Sequence, residues 1–569
     1  MGDMVIARAI IRYALGLFLV GLLALLVIDG DPIGMFTGRI AARSSALDTF
    51  DVKELSSADR GLVYFAFGDF SGLSSDTLRV SAAPWTVTTA ALALHAADGN
   101  VDRVSSNLVS EIFRGFGFHT PREIGNWPAD LPRPELTYPL GQNVGTASRL
   151  LPPIAITIGN FGCPACHSSV MYDKNGRPDP THVWLGAPNT SINLQAYTDA
   201  LYDSLRTYTN EAQDDLLWHA IEKLHPDLSV RERLTLEFAI LPLLRRQLAE
   251  LEATIGRLLP YRGSLAGATN GLDSLRARLN LIPPGSLVEK SVFNSVPDLG
   301  GRLYRDRFLN TGAYTTPGHE EPREIQAENI TPAHRRRLAA IVAYFTVPSM
   351  GVTPETAISH IGDVEDVMAW MADYRPQPFP RQLDRTLLAE GRDVYAAHCA
   401  SCHGVYDDNL DSPRIVSFPN WLGDVGTDPR RLELFGQDVA DALNQSVYGV
   451  YIHARTSTEY SAPPLTGLWA SAPYFHNGSV PTLRALMYAD ERPQKFKVGG
   501  HAVDLDTVGI AGAMGVDGEW HYPPDVTPWS TPAEVDTTAF GLGNVGHEAE
   551  FTPLNDAKKR ALLEYLKAL

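Results

Sequence analysis

Two copies of a Cys-x-x-Cys-His motif account for all four cysteines of this 569-residue chain. The attachment residues are Cys163, Cys166 and His167 in the first motif and Cys399, Cys402 and His403 in the second. In such a motif the two thiols can add across the vinyl groups of a haem, and the histidine that follows becomes the proximal iron ligand. The motifs therefore predict two covalently bound c-type haems.

A zinc site and a dithiol redox centre are the alternatives for these cysteines. A zinc site needs its two Cys-x-x-Cys units close together, whereas the two histidines are 403 − 167 = 236 residues apart. A dithiol enzyme has no need of a histidine directly after its second cysteine, and here both motifs have one. Both features favour haem.

The composition is that of a folded protein with more than one hydrophobic core. Hydrophobic residues make up 44% of the chain and charged residues 20%. The formal net charge is −18, which argues against nucleic acid as a partner because an acidic protein repels phosphate backbones.

The N-terminus has the pattern of an export signal. Arg8 and Arg12 precede an apolar stretch at 13–28, and Asp29 begins the polar chain without a small-x-small cleavage site. Residues 1–30 are therefore predicted to form an uncleaved transmembrane helix. Since haem attachment to these motifs follows export, the chain is expected in the bacterial inner membrane as a single-pass protein, with its body in the periplasm.

A proline-rich segment at 374–380 predicts the boundary between two haem domains. Three prolines within five residues remove backbone donors and favour extended structure. The expected domains are residues 31–375, with loop and helical insertions, and residues 376–569. The expected fold class is mainly α, with two cytochrome c-like haem domains and long loops behind the membrane helix.

Two helices are predicted to frame the second motif. Asp384 can cap a helix that runs into Cys399, and 555–569 shows the apolar spacing of a closing helix. The two are expected to cross at Gly391 and Tyr565. By contrast, glycines and an asparagine at 157–162 favour a loop before the first motif, and 231–259 and 332–344 favour helices.

Several segments carry a family resemblance. Residues 461–483 resemble the signature of the bacterial di-haem cytochrome c peroxidase superfamily, which includes MauG-type enzymes. Four further segments resemble the rubber-oxygenase (RoxA-type) branch of that superfamily, namely 160–167, 183–191, 492–499 and 543–548. Together the similar segments span about residues 110 to 569.

The resemblance implies a division of labour between the haems. The first haem, on His167, would react with O₂ or peroxide on an open distal face. The second haem, on His403, would be closed by His547 and would only pass or store electrons. Met487 is the alternative to His547, and Tyr488 is a weaker one.

Other residues receive roles from their positions in the chain or through the same resemblance. His476 would order a haem propionate or a loop, and Trp184 and Trp370 would lie beside or between the haems. The segment 297–310 would line the distal pocket of the first haem with Arg302, Tyr304, Arg305 and Phe308. It lacks the tryptophan usual in the family, which argues against cleavage of polyisoprene.

Three functions remain open from the sequence. The favoured one is a peroxidase- or oxygenase-type oxidoreductase that uses H₂O₂ or O₂ and receives electrons from a small electron-transfer protein or a quinol-linked donor. The others are a pure electron-transfer cytochrome and a sensor or haem-assembly scaffold. The peroxidase branch holds a Ca²⁺ ion between its haem domains, but no Asp-rich loop of this chain specifies one.

Overall fold

The computed structural model describes residues 41–68, 70, 73, 82–149 and 154–569. It has 41% helix and 15% strand, so the predicted mainly α fold is wrong. The predicted membrane helix at 1–30 lies outside the described residues. Within those residues, no helix is both long enough and apolar enough to cross a membrane. The described residues therefore do not support the expected single-pass inner-membrane anchor.

The helices are distributed along the whole of the described chain. Before the proline-rich segment they are α1 Ser57–Phe67, α2 Trp85–Ala96, α3 Ser106–Gly115, α4 Leu194–Tyr208, α5 Asp214–Leu224, α6 Val230–Thr235, α7 Leu241–Glu252, α8 Gly271–Arg278, α9 Pro332–Met350, α10 Pro354–Ser359 and α11 Ile361–Asp373. After it they are α12 Arg385–His398, α13 Ala400–His403, α14 Arg430–Leu434, α15 Gln437–Gln445, α16 Leu483–Met487, α17 Glu548–Phe551 and α18 Asp556–Leu566. The helix predicted at 231–259 is present only as far as Glu252, with a π-helical turn just before Pro242, and the helix predicted at 332–344 is present and continues to Met350.

The strands are short and belong to several small sheets. In chain order they are β1 Ala41–Ser44, β2 Ala83–Pro84, β3 Glu123–Ile124, β4 Gln142–Arg149, β5 Ile154–Phe161, β6 Ser168–Tyr172, β7 Pro178–Leu185, β8 Ala268–Thr269, β9 Asn294–Ser295, β10 Tyr314–Thr315, β11 Ile325–Gln326, β12 Val405–Tyr406, β13 Ile415–Phe418, β14 Leu422–Gly423, β15 His453–Ala454, β16 Tyr460–Ser461, β17 Lys495–Val498, β18 Val503–Asp504, β19 Gly509–Ile510, β20 Ala513–Met514, β21 Glu519–His521 and β22 Ala533–Asp536. The larger sheets have the orders β1-β4-β5-β2, β3-β7-β6, β11-β13-β12 and β20-β21-β17-β22.

Strands, and not a loop, deliver the first motif. Strand β5 pairs with β4 in an antiparallel register and ends at Phe161, two residues before Cys163. Strand β6 starts directly after His167 and pairs with β7. The isoleucines at 154, 156 and 158 are buried on one face of β5, which is the alternation that a half-buried strand requires. This alternation outweighs the glycines that suggested a loop.

Helices α12 and α18 frame the second motif as predicted. The Asp384 side chain accepts hydrogen bonds from the first turn of α12, and Asn555 caps α18 in the same way. The helices cross where a Cβ on Gly391 would lie 2.0 Å from the Ala561 carbonyl oxygen and 2.8 Å from Cβ of Tyr565. The predicted crossing at Gly391 and Tyr565 is confirmed.

Because this contact leaves no room for a side chain, we expect Gly391→Ala to lower the free energy of unfolding by about 1–3 kcal/mol, the usual range for overpacking. Thermal unfolding of the haem-loaded protein measures the effect. Gly362→Ala in α11 is the matched control, because a Cβ there meets no atom within 4 Å. Equal behaviour of the two variants would contradict a tight crossing.

Three hydrophobic cores support these elements. One packs α1, α9 and α11 together, a second packs α2, α4 and α5 against β4 and β5, and a third surrounds α12, α18 and β17. The third core also includes Val170 and Tyr172 of β6, so the strand that follows the first motif contributes to the core around the second. The division at residues 375 and 376 stays a prediction.

Candidate haem centres

The second motif presents His403 at the end of the short helix α13. Its Nδ1 donates a hydrogen bond to the Pro463 carbonyl at 2.8 Å, which fixes the ring and leaves Nε2 as the ligand atom. Burial lowers the pKa of His403 to about 4, so the ring is neutral at pH 7 and can bind a metal.

His547 lies opposite His403. The ring centroids are 6.4 Å apart with an angle of 28° between the planes. Metal–nitrogen bonds of about 2.0 Å on opposite sides of one ion place the two nitrogens about 4 Å apart, and this ring separation accommodates that span. The Nδ1 of His547 is buried and has no hydrogen-bond partner in the described part of the chain. Burial lowers the pKa of His547 to about 4, which keeps this ring neutral as well.

One arginine makes several of the hydrogen bonds that hold the loop that carries His547. The Arg492 guanidinium donates to the carbonyls of Asn544 at 2.6 Å and Gly546 at 3.0 Å, and to a Glu548 carboxylate oxygen at 2.6 Å. These bonds maintain His547 in a left-handed backbone conformation, with a φ of +66°, which is unfavourable for a residue other than glycine.

An aromatic contact with Phe475 also orients the His547 ring. The Phe475 ring is stacked on it at 5.6 Å, and the Arg492 guanidinium lies 5.3 Å from the centre of the Phe475 ring. The Arg492 cation thus contacts the phenyl ring that packs on the His547 imidazole.

His403 and His547 both line a cavity of about 340 Å³. Both cysteines of the second motif line it, together with hydrophobic side chains that include Leu465, Leu483, Leu486, Phe551, Leu562 and Leu566. Two thiols at one edge, two neutral imidazoles on opposite sides and an apolar lining are the features that a covalently bound haem needs. The residues that line this cavity therefore fit a covalently bound haem.

The first motif is held rigidly between its strands. The Asn189 side chain donates to the Ala165 carbonyl at 2.9 Å, and the Asn189 amide donates to the Cys166 carbonyl at 2.8 Å. The His167 Nδ1 donates to the Pro297 carbonyl at 3.2 Å. Burial lowers the pKa of His167 to about 4. His167 is thus oriented in the same manner as His403.

The thiols do not resemble those of a dithiol redox enzyme. Burial raises the pKa of Cys163, Cys166 and Cys399 to about 12. It also raises the pKa of Cys402. Reactive redox cysteines have lowered pKa values, because the thiolate is the nucleophile.

The arginines expected in the distal pocket of the first haem form hydrogen bonds with other residues of the protein. Arg302 lies near both His167 and the cavity of the second motif, and its Nε donates to the Asp298 carbonyl at 2.9 Å. Arg305 is 2% exposed and donates to Ser461 Oγ at 2.9 Å. Phe308 is buried and Tyr304 half-buried. Their role in a distal pocket stays a prediction.

The remaining predicted residues occupy defined places. Trp184 donates to the Arg375 carbonyl at 2.9 Å, and Trp370 packs on Phe65 with ring centroids 4.5 Å apart. His476 lines the cavity of the second motif and is hydrogen-bonded to the Tyr460 hydroxyl at 3.1 Å.

Neither alternative ligand lines the cavity of the second motif. Met487 is buried in the third core, and the Tyr488 hydroxyl donates to Asp556 at 2.9 Å. The assignment of His547 stays a prediction, which the facing rings support.

Sequence reasoning assigned no role to several residues that organise the sites. Pro297 and Pro463 act through backbone carbonyls, and so leave no signal in their residue type. Asp298 and Arg492 lie inside segments singled out by resemblance, and their burial is what distinguishes them: the side chain of Arg492 is 4% exposed, and Asp298 is 4% exposed.

Comparison with known proteins agrees with a cytochrome. Residues 459–497 match the family model described as RoxA-like, cytochrome c-like. The uncharacterized protein y4iJ of Sinorhizobium fredii is 38% identical over 260 positions, which cover 34% of this chain and 41% of that protein. The uncharacterized protein y4iM of the same organism is 28% identical over 216 positions, covering 33% of this chain and 46% of that protein.

The chain therefore spans less than half the length of these two curated relatives. The matched family segment contains Tyr460, Pro463, Phe475, His476 and Arg492, which all belong to the surroundings of the second motif. The match supports a RoxA-related c-type cytochrome and implies haem c with its iron.

Proposed function

We propose that the protein is a di-haem c-type oxidoreductase in which the two sites have different roles. The first site, on His167, reacts with H₂O₂ or O₂, and the second, on His403, passes electrons. Haem iron supplies the redox chemistry: a site with an open coordination position binds the oxidant, whereas a site closed by two histidines exchanges only electrons.

This proposal rests on a difference between the two proximal histidines: one faces a second imidazole ring and, in the described part of the chain, the other does not. His403 faces His547 at 6.4 Å, whereas among the described residues no ring lies across from His167 at a comparable distance. Each proximal histidine donates its Nδ1 proton to a proline carbonyl, so the two sites are alike on that side. The asymmetry therefore lies on the distal sides.

The protein side chains divide the work accordingly. At the second site, Arg492 and Phe475 hold the His547 ring in place, which excludes other ligands. At the first site, the Asn189 bonds hold the motif, and the Pro297 carbonyl orients His167. An electron donor of the small cytochrome or quinol-linked class would supply the second site.

Electron paramagnetic resonance of the purified haem-loaded protein tests this assignment. We expect one high-spin and one low-spin ferric signal. Adding H₂O₂ to the ferric form, or O₂ to the reduced form, should change the optical and magnetic spectra of the high-spin haem. Two low-spin haems that respond to neither oxidant would identify a pure electron-transfer cytochrome instead.

A further inference from the structure

The proximal sides of the two sites meet at one buried carboxylate. The Pro297 carbonyl accepts the hydrogen bond from His167, and the next residue, Asp298, is 4% exposed. Leu299 extends this connection, because its amide donates to the Gly186 carbonyl, while the Gly186 amide donates to the His167 carbonyl. The segment at 297–299 is thus tied to the first motif through both the side chain and the backbone of His167.

Three donors surround the Asp298 carboxylate. Its Oδ1 accepts from the Gly300 amide at 2.7 Å and from Thr466 Oγ1 at 3.1 Å, and its Oδ2 accepts from the Tyr374 hydroxyl at 2.9 Å. The Arg302 guanidinium lies beside it on the Asp298 carbonyl. Burial raises the pKa of Asp298, whereas the three hydrogen bonds and the Arg302 cation oppose that rise by favouring the ionised form.

Thr466 extends the connection to the second motif. It lies three residues after Pro463, whose carbonyl accepts from His403. The intervening residue Leu465 exchanges two hydrogen bonds with the Tyr406 side chain, at 2.7 and 2.9 Å, and Tyr406 is three residues after His403. The segment at 463–466 is therefore anchored to the second motif, as the segment at 297–299 is to the first.

Glycines on both segments permit their contact. A Cβ on Gly300 would lie 2.6 Å from Thr466 Oγ1, and a Cβ on Gly467 would lie 2.6 Å from Asp298 Oδ2. Each glycine lets a side chain of the other segment approach its backbone more closely than a Cβ would allow. The Asp298–Thr466 hydrogen bond is thus part of a closely packed junction.

We propose that Asp298 is a positioning residue shared by both haem sites. It joins the carbonyl that orients His167 to the segment whose carbonyl orients His403, and its negative charge acts on the reduction potentials of both irons. This inference rests on the proposed function, in which both motifs carry haem. A nearby anion stabilises ferric over ferrous iron, so the charge lowers both potentials.

Asp298→Asn removes the charge and preserves the size of the side chain. In a redox titration of the haem-loaded protein, followed optically and by electron paramagnetic resonance, we expect both midpoint potentials to rise. Asp273→Asn is the matched control: Asp273 is 1% exposed and accepts from Asn270 and Ser291 side chains, but it belongs to neither junction segment. That control should leave both potentials unchanged.

Thr466→Val is a second variant, for which we expect the reduction potentials to shift in the opposite direction. It removes one donor from the carboxylate, so in a titration above the pKa of Asp298 both potentials should fall, and the shift should vanish when the variant is combined with Asp298→Asn. Potentials that do not move, or a shift confined to one haem, would overturn the shared role.

Two further measurements on the same sample separate failure of this inference from failure of the proposed function. A haem-to-protein ratio of one would overturn both ideas, because there would be no second potential to shift. Lack of reaction with H₂O₂ and O₂ would contradict only the proposed function, since the titration requires neither oxidant.

Discussion

Replacing His547 by alanine converts the low-spin signal of the second haem into a high-spin signal. The expected conversion is complete, because the described part of the cavity offers no other histidine in a position to face His403 as His547 does. Electron paramagnetic resonance of the ferric protein measures the change. Imidazole added to the buffer should then restore the low-spin signal, since it can occupy the space that the deleted ring leaves.

His476→Ala is the control for this experiment. His476 is also a histidine of the same cavity, but its ring is hydrogen-bonded to Tyr460 and forms no ring pair with His403 among the described contacts. This variant should keep the low-spin signal. If His547→Ala instead left the spectrum unchanged, a ligand such as Met487 would have to approach the iron by rearrangement of the third core.

Replacing both cysteines of one motif by serine should remove one haem from the protein. For the second motif, Cys399→Ser with Cys402→Ser, we also expect a large loss of stability. The apolar cavity would be left without the group that fills it, and loss of a bound cofactor removes its binding free energy from the folded state. Haem staining after denaturing electrophoresis and intact mass measure the loss, and thermal unfolding measures the stability.

The same double-cysteine replacement can be made in the first motif, and each motif contains a residue that can serve as a control. Cys163→Ser with Cys166→Ser should also leave one haem, attached at the other motif. Pro164→Ala and Ser401→Ala change residues between the cysteines and should keep both haems. Retention of two covalent haems in either double-cysteine variant would refute the attachment sites.

The sequence predicted correctly those features of the fold that depend on residue type and local spacing. The capped helix that leads into Cys399 and the crossing at Gly391 both follow from local rules of capping and packing, and the structure contains them. The mainly α expectation failed because β5 is specified by alternating isoleucines, a signal that the adjacent glycines obscured.

The organisation of the two sites depends on groups that residue types do not reveal. The orienting acceptors are backbone carbonyls of Pro297 and Pro463, and any residue at these positions would present the same oxygen. Arg492 likewise binds two carbonyls of a loop more than 50 residues away. Such contacts become visible only when the segments are placed together in space.

The position of His547 in the chain has a consequence for maturation. His547 follows His403 by 547 − 403 = 144 residues, and the ribosome completes the second motif before it reaches the loop that Arg492 holds. Until that loop docks, the iron position at His403 has one face uncovered. Closure of the second site therefore depends on a long-range contact between segments 144 residues apart, and not on the local fold around the motif.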